Sequence, residues 1–125
     1  MMPRLHEKLT VWQDSMALVE VIYQFCLSMP TSEKFGLISQ MQRAAVSIPS
    51  NIAEGAARDT TKDYLKFLVI ARGSLAELET QIKICHRLGF CVDSSQLLYQ
   101  CNKVFAKLSA LIQSLKRKLQ RELSC

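Results

Sequence analysis

An all-α, up-down-up-down four-helix bundle is the fold class this sequence predicts, on three observations. Only four glycines and three prolines interrupt 125 residues, too little punctuation for the turns of an all-β chain. Apolar residues recur at alternating steps of three and four in four successive stretches, which is the helical period. The links between those stretches are short, so chain neighbours should run antiparallel. A chain of this length hides roughly two-thirds of its unfolded surface in one core. Residues 1–125 therefore read as a single domain, with helices at about 10–29, 34–57, 61–88 and 93–122.

The first helix should open at Thr10-Val-Trp-Gln13, a capping-box pattern. Its apolar face draws on two adjacent rows, Trp12, Met16, Val19, Tyr23, Cys26 and Val11, Ser15, Leu18, Ile22, Phe25, until Met29-Pro30 stops it. The second helix starts between Ser32 and Leu37, because Gly36 is a poor interior residue, and ends at Gly55 or the polar run Arg58-Asp-Thr-Thr61. The third keeps a heptad alternation through Tyr64, Leu68, Ala71, Leu75, Leu78, Ile82 and Cys85, with Gly89 as its stop. Asp93 and Gln96 repeat the capping pattern before the fourth. There Leu98, Cys101, Phe105, Leu108, Ile112, Leu115 and Leu119 form the apolar row.

Helix 2 carries an unusual edge. Gln40, Arg43, Ser47, Asn51, Glu54 and Arg58 fall within roughly 80° of one another on a 3.6-residue helix. Pro49 cannot donate to the carbonyl of Ala45, so a kink is expected there, with the Ser50 hydroxyl free to bond the carbonyl of Val46. A face chosen only for solubility favours lysine and glutamate, whereas short polar groups suit the close approach of another helix. The edge thus reads as an inter-helix or inter-subunit polar seam, with plain solvation as the alternative. If helices 2 and 3 turn back near residues 59–61, Ser47 faces Gly73, Gln40 faces Gln81, and Arg43 forms an ion pair with Glu77; Ser74 also belongs to the seam.

Two further features bear on partners. Phe67, Ile70, Ile84 and Leu88 lie outside the heptad row of helix 3, giving an apolar arc wider than one bundle core needs and pointing to self-association. Charge is also unevenly placed: residues 1–102 hold ten basic and ten acidic groups, and residues 103–125 hold six basic groups and Glu122, so the net +5 belongs to the end of the chain. Lys103, Lys107, Ser114, Arg117, Lys118 and Arg121 project within about 100° on helix 4, a ridge able to track phosphates. A solvated outer face, with cations favoured by the helix dipole, is the competing explanation.

Catalytic and metal patterns are missing. Five cysteines (Cys26, Cys85, Cys91, Cys101, Cys125) form no C-x-x-C and no ligand spacing with His6 or His86, so they read as buried or incidental thiols of a reducing cytosol. No E-x-x-H pair suits a di-metal bundle, and no phosphate-loop, dinucleotide or nucleophile-elbow motif occurs. Glu77 and Glu79 diverge by about 160° and cannot act as a paired acid and base. No apolar run suggests a leader or a span, so neither a membrane nor a small-molecule substrate is expected, and no cofactor.

The runs LTVWQDSM, EKFGL, SQMQRAAVSIPSNIAEGAAR (Ser39 to Arg58) and FLVIARGSLAELETQIKICHRLGF (Phe67 to Phe90) resemble the four-helix-bundle proteins encoded in bacterial 23S rRNA intervening sequences. The resemblance covers about residues 9 to 90. Matching positions are Gln40, Arg43, Ser47, Pro49, Asn51, Glu54, Gly55, Arg58, Gly73, Ser74, Glu77 and Glu79, to none of which the family gives a catalytic role. Gln42 and Ala57 depart from the pattern, where the family commonly has arginine and often glycine, and the first weakens a phosphate role for this edge. The resemblance implies a cytoplasmic bacterial homopentamer that binds RNA, the ribosomal RNA or its intervening segment. More distantly, the fold is similar to the accessory protein of diversity-generating retroelements, a basic pentamer acting with nucleic acid. The expected function is a non-enzymatic oligomer presenting the basic face of helix 4 to RNA or a nucleoprotein. A protein-binding scaffold is the alternative, and an enzyme using Arg43, Asn51 and Glu54 in a cleft is a third reading.

Overall fold

The computed structural model describes residues 4–124; Met1 to Pro3 and Cys125, and the thiol reading made for Cys125, lie outside that range. Four long helices, α1 (Thr10–Cys26), α2 (Leu37–Ala56), α3 (Thr61–Arg87) and α4 (Ser95–Ser124), make up the fold, with short 3-10 turns at Leu5–Lys8 and Thr31–Glu33 and no strand among the described residues. Each helix packs on two others: α1 on α2 and α4, and α3 on α2 and α4. The diagonal pairs α1/α3 and α2/α4 have no Cα atoms within 8 Å of each other, and the α2–α3 contact is the most extensive. That ring of four encloses one core.

The core follows the helical period closely. Leu68, Ala71, Leu75, Leu78, Ile82 and Cys85 of α3 are all fully buried, facing Met41, Ala45, Ile48 and Ile52 of α2 and Leu18 and Ile22 of α1. Burying such side chains, at about 1.5–3 kcal/mol each, drives the assembly. Of the two rows on α1, the one through Val11, Ser15, Leu18 and Ile22 is buried, while Met16 and Tyr23 are exposed. Ser15 tolerates burial because its hydroxyl donates to the Trp12 carbonyl at 2.8 Å.

One row is displaced from expectation. On α4 the buried residues are Leu97, Cys101, Val104, Leu108, Ile112 and Leu115, and Phe105 is 46% exposed. The rows containing Phe105 and Val104 share Cys101, Leu108, Ile112 and Leu115, so the period alone does not separate them; the ring as packed admits the smaller valine.

Helix ends show what local chemistry decides. Thr10 does begin α1, but the cap position is Leu9 and no side chain caps it. Gln13 instead donates its amide to the Glu7 carbonyl at 2.9 Å, because the preceding 3-10 turn brings that carbonyl within reach. α1 stops at Cys26, three residues before the expected Met29, where the chain tightens into a turn and the Ser28 hydroxyl takes the Phe25 carbonyl. Thr60 caps α3, its Oγ1 accepting from the Asp63 amide at 3.2 Å. At the other end Gly89, with φ of 81°, allows Phe90 N–H to bond the Cys85 carbonyl and Gly89 N–H to bond the His86 carbonyl, a Schellman closure that no side chain with a Cβ adopts easily. Asp93 opens α4 through its carboxylate, which accepts the Ser95 amide at 2.9 Å; that bond holds its pKa below the usual value. Gln96 takes no part in this cap.

α2 runs unbroken through a buried Pro49, and the Ser50 hydroxyl does take the Val46 carbonyl, at 2.7 Å. α2 ends at Ala56, between the two stops expected at Gly55 and Arg58, and Gly55 itself is buried. A Cβ placed there would lie 2.9 Å from the Cβ of Phe67 and 3.0 Å from a ring carbon of Tyr64. α2 and α3 approach closely here, which the reading of Gly55 as a stop signal does not show.

Candidate nucleic-acid interface

The helix 4 ridge is less uniform than its sequence. Lys107 Nζ lies 2.6 Å from Asp14 Oδ2 of α1. The carboxylate oxygen is buried, which strengthens the charge attraction across this contact. Lys103 Nζ sits over the Tyr99 ring, 5.9 Å from its centroid, within the same helix. Lys107 therefore ties α4 to α1, and the middle of the ridge serves the fold. Arg117 and Arg121 line a shallow depression with Gln120 and Ser124 near the end of α4, and Lys118 is exposed beside them.

Three lysines that sequence reasoning left out belong to the same end of the bundle. Lys62 and Lys66, from the first turns of α3, and Lys116 of α4 surround an open groove floored by Leu65, Val69 and Ile70, with Asp63 at its rim. The Thr61 hydroxyl donates to Glu122 Oε1 at 2.9 Å and holds the two helix ends together. The signal that could have found this cluster was the short link between helices 3 and 4, from which residues near 62 are expected beside residues near 118. Counting charges along one helix could not. None of Lys62, Lys66, Lys116, Arg117 and Lys118 is held in an ion pair among the described residues.

The middle of the α2 polar edge, Ser47 and Asn51, faces α3, while Gln40, Arg43, Glu54 and Arg58 are exposed. Ser47 Oγ and Ser74 Oγ are 2.9 Å apart, and Asn51 Nδ2 donates both to the Ser47 carbonyl (2.8 Å) and to Ser47 Oγ (2.9 Å). Short side chains are what such a crossing requires. The observed partner of Ser47 is one residue beyond the expected Gly73. The Arg43–Glu77 ion pair is not formed: both side chains are exposed, and Glu77 Oε1 accepts instead from Gln81 Nε2 at 3.3 Å. Two long exposed charges lose side-chain entropy on pairing and gain little in water, so geometry does not enforce that contact. Gln40 is exposed, while Gln81 is only 4% exposed and its Oε1 has no partner among the described residues. Arg58 bonds Glu54 at 2.9 Å and lays its guanidinium 4.6 Å from the Phe67 ring centroid. Asn51 and Glu54 are thus committed to Ser47 and Arg58, and do not converge with Arg43 on a reactive cleft.

A family model described as 23S rRNA-intervening sequence protein matches residues 7–117. The chain belongs to that family. No curated protein matches it. The family match takes in all of α1, α2 and α3 and ends at Arg117, so Lys118 and Arg121 of the candidate surface lie beyond it while Lys62, Lys66, Lys103, Lys107 and Lys116 lie within. For this member of the 23S rRNA-intervening sequence protein family, the cationic end is therefore partly the family's span and partly the chain's last two turns.

The thiols are sheltered. Burial pushes Cys26 up, Cys85 to about 11 and Cys101 to about 12, against an ordinary 9.0. Cys85 Sγ rests 3.6 Å from Met41 Sδ in the core. Thiolates are the reactive form, so iodoacetamide at about pH 8, below the ordinary thiol pKa, should modify the half-buried Cys91 well before Cys26, Cys85 or Cys101, as peptide mass mapping would read. The same shifts set a sign for stability. Above about 9.0 the unfolded thiols release protons that the folded ones keep, so this contribution is whole below that pH and declines as pH rises through about 11 to about 12.

Proposed function

We propose that this member of the family is a non-enzymatic oligomeric bundle, in up-down-up-down order with Pro49 bending α2, that binds RNA through the joined ends of α3 and α4. The carrying observation is the cluster of Lys62, Lys116, Arg117 and Lys118, exposed and without ion-pair partners among the described residues. Such cations displace counterions from phosphates, and the affinity then falls steeply with salt. A tracking mode suits this surface better than base reading, because no aromatic side chain lines the groove or the depression at this end of the bundle. Ribosomal RNA or its intervening segment is the ligand the family's description favours. The proposed location is the cytoplasm; no helix among the described residues is long and apolar enough to cross a membrane.

Self-association, as a homopentamer, is the second part of the proposal. Ile70, Ile84 and Leu88 on the outer side of α3 are 44%, 39% and 58% exposed, whereas Phe67 is half-covered by Arg58. Exposed apolar surface of that extent on one helix favours cover by another chain. A scaffold that binds only protein is the competing reading, favoured by the same residues.

Filter binding of structured RNA across a salt series separates the two. A steep dependence is expected, with R117A/K118A lowering the slope by about 2, since each lost phosphate contact removes about one. Absence of binding at low salt, or a slope near zero, would reject the RNA reading.

A further inference from the structure

The outer sides of α1 and α3 differ in charge and agree in shape. α1 carries two carboxylates, Asp14 and Glu20, and no lysine or arginine. Asp14 is taken by Lys107. Glu20 is left on an exposed strip that also presents Met16, one turn before it, and Tyr23, one turn after, both exposed. The groove between α1 and α2 beside this strip is lined by Trp12, Met16, Val19, Val46, Pro49 and neighbours, with no lysine or arginine.

α3 presents the counterpart. Lys66, Ile70 and Gly73 repeat the same four-then-three spacing on one face, and all three are exposed. Lys62 and Lys116 flank Lys66, so the region stays positive although Asp63 offsets part of it. Nothing lies within 4 Å of where a Cβ on Gly73 would be, leaving room for an incoming side chain.

We infer that the Met16–Glu20–Tyr23 strip of one copy packs on the Lys66–Ile70–Gly73 strip of a second copy, with Glu20 paired to Lys66. The occupant is a second copy because both halves are on one chain and their charges are opposite. α1 and α3 stand at opposite corners of the ring of helices, with no Cα atoms within 8 Å of each other. The two strips therefore face away from each other, and the contact is head-to-tail, the kind that closes into a ring when the rotation between copies allows. The inference rests on the self-association reading and names the surfaces that carry it.

Light scattering on the eluting species, with far-UV circular dichroism to check the fold, tests both. E20K and K66E change exposed positions and should leave the helical signal intact. Each alone is expected to weaken association by about tenfold or more, the effect of about 1.4 kcal/mol, and the double variant E20K/K66E should recover most of it. A monomeric wild type would overturn self-association itself. A wild-type oligomer that both single variants leave intact, or that the double variant fails to restore, would overturn this pairing while self-association stands.

Discussion

Leu75→Ala is expected to lower the unfolding free energy by about 3 kcal/mol, a large share of the roughly 5–15 kcal/mol that holds a typical domain together. Leu75 is fully buried on the α3 row, and α3 packs on both α2 and α4. Removing its side chain loses transfer energy and leaves a cavity that three packed helices cannot easily close. Urea denaturation at fixed protein concentration should show a lower midpoint with an unchanged slope. Phe105→Ala supplies the control. It deletes more atoms, yet Phe105 is half out of the core and Val104 holds the inward position, so the cost should stay below about 1 kcal/mol. Equal losses for the two variants would mean that the α4 row runs through Phe105 after all.

That comparison also marks where sequence periodicity stops informing. On α3 the heptad is clearest from Leu75 to Ile82, where Ser74, Ala76, Glu77, Glu79, Gln81 and Lys83 flank the apolar residues, and its inner row is read correctly from Leu68 to Cys85. On α4, apolar pairs at Leu97-Leu98 and Val104-Phe105 leave two rows equally periodic, and only the shape of the facing helices decides. The seam was legible for a different reason. Ser47 and Asn51 are poor helix formers on a face with no solubility demand of their own, and that cost signals a neighbour. Its partner came out one residue off because the turn between α2 and α3 sets the register, and turn length is read only to within a residue or two. The Arg43–Glu77 pair failed since long flexible charges reach many places in water. The lysine cluster at the bundle end escaped notice because its members come from two helices, and closeness in space between Lys62 and Lys116 is a property of topology that no single helix displays.

The two exposed-versus-buried glycines of the α2–α3 pair should respond to the same substitution with opposite signs. Gly73 lies in the middle of α3 with open space where a Cβ would go, so Gly73→Ala removes backbone freedom from the unfolded chain and stabilises by about 0.5–1 kcal/mol. Gly55 gains the same helix propensity, but a Cβ there would be 2.9 Å from Phe67 Cβ and 3.2 Å from the Tyr64 carbonyl oxygen. Neither neighbour is the free end of a side chain, so α2 and α3 must separate. Overpacking of about 1–3 kcal/mol then exceeds the propensity gain, and Gly55→Ala is expected to destabilise, Gly55→Val more strongly, by about 3 kcal/mol. Separation of the helices would also strain the Ser47–Ser74 contact two turns away, so faster amide exchange along this edge of α2 should accompany the loss. Thermal melts of the three variants at one dilute concentration read the signs directly. Stabilisation by Gly55→Ala to the extent of Gly73→Ala would show that the two helices do not meet as closely at this point as their backbones indicate.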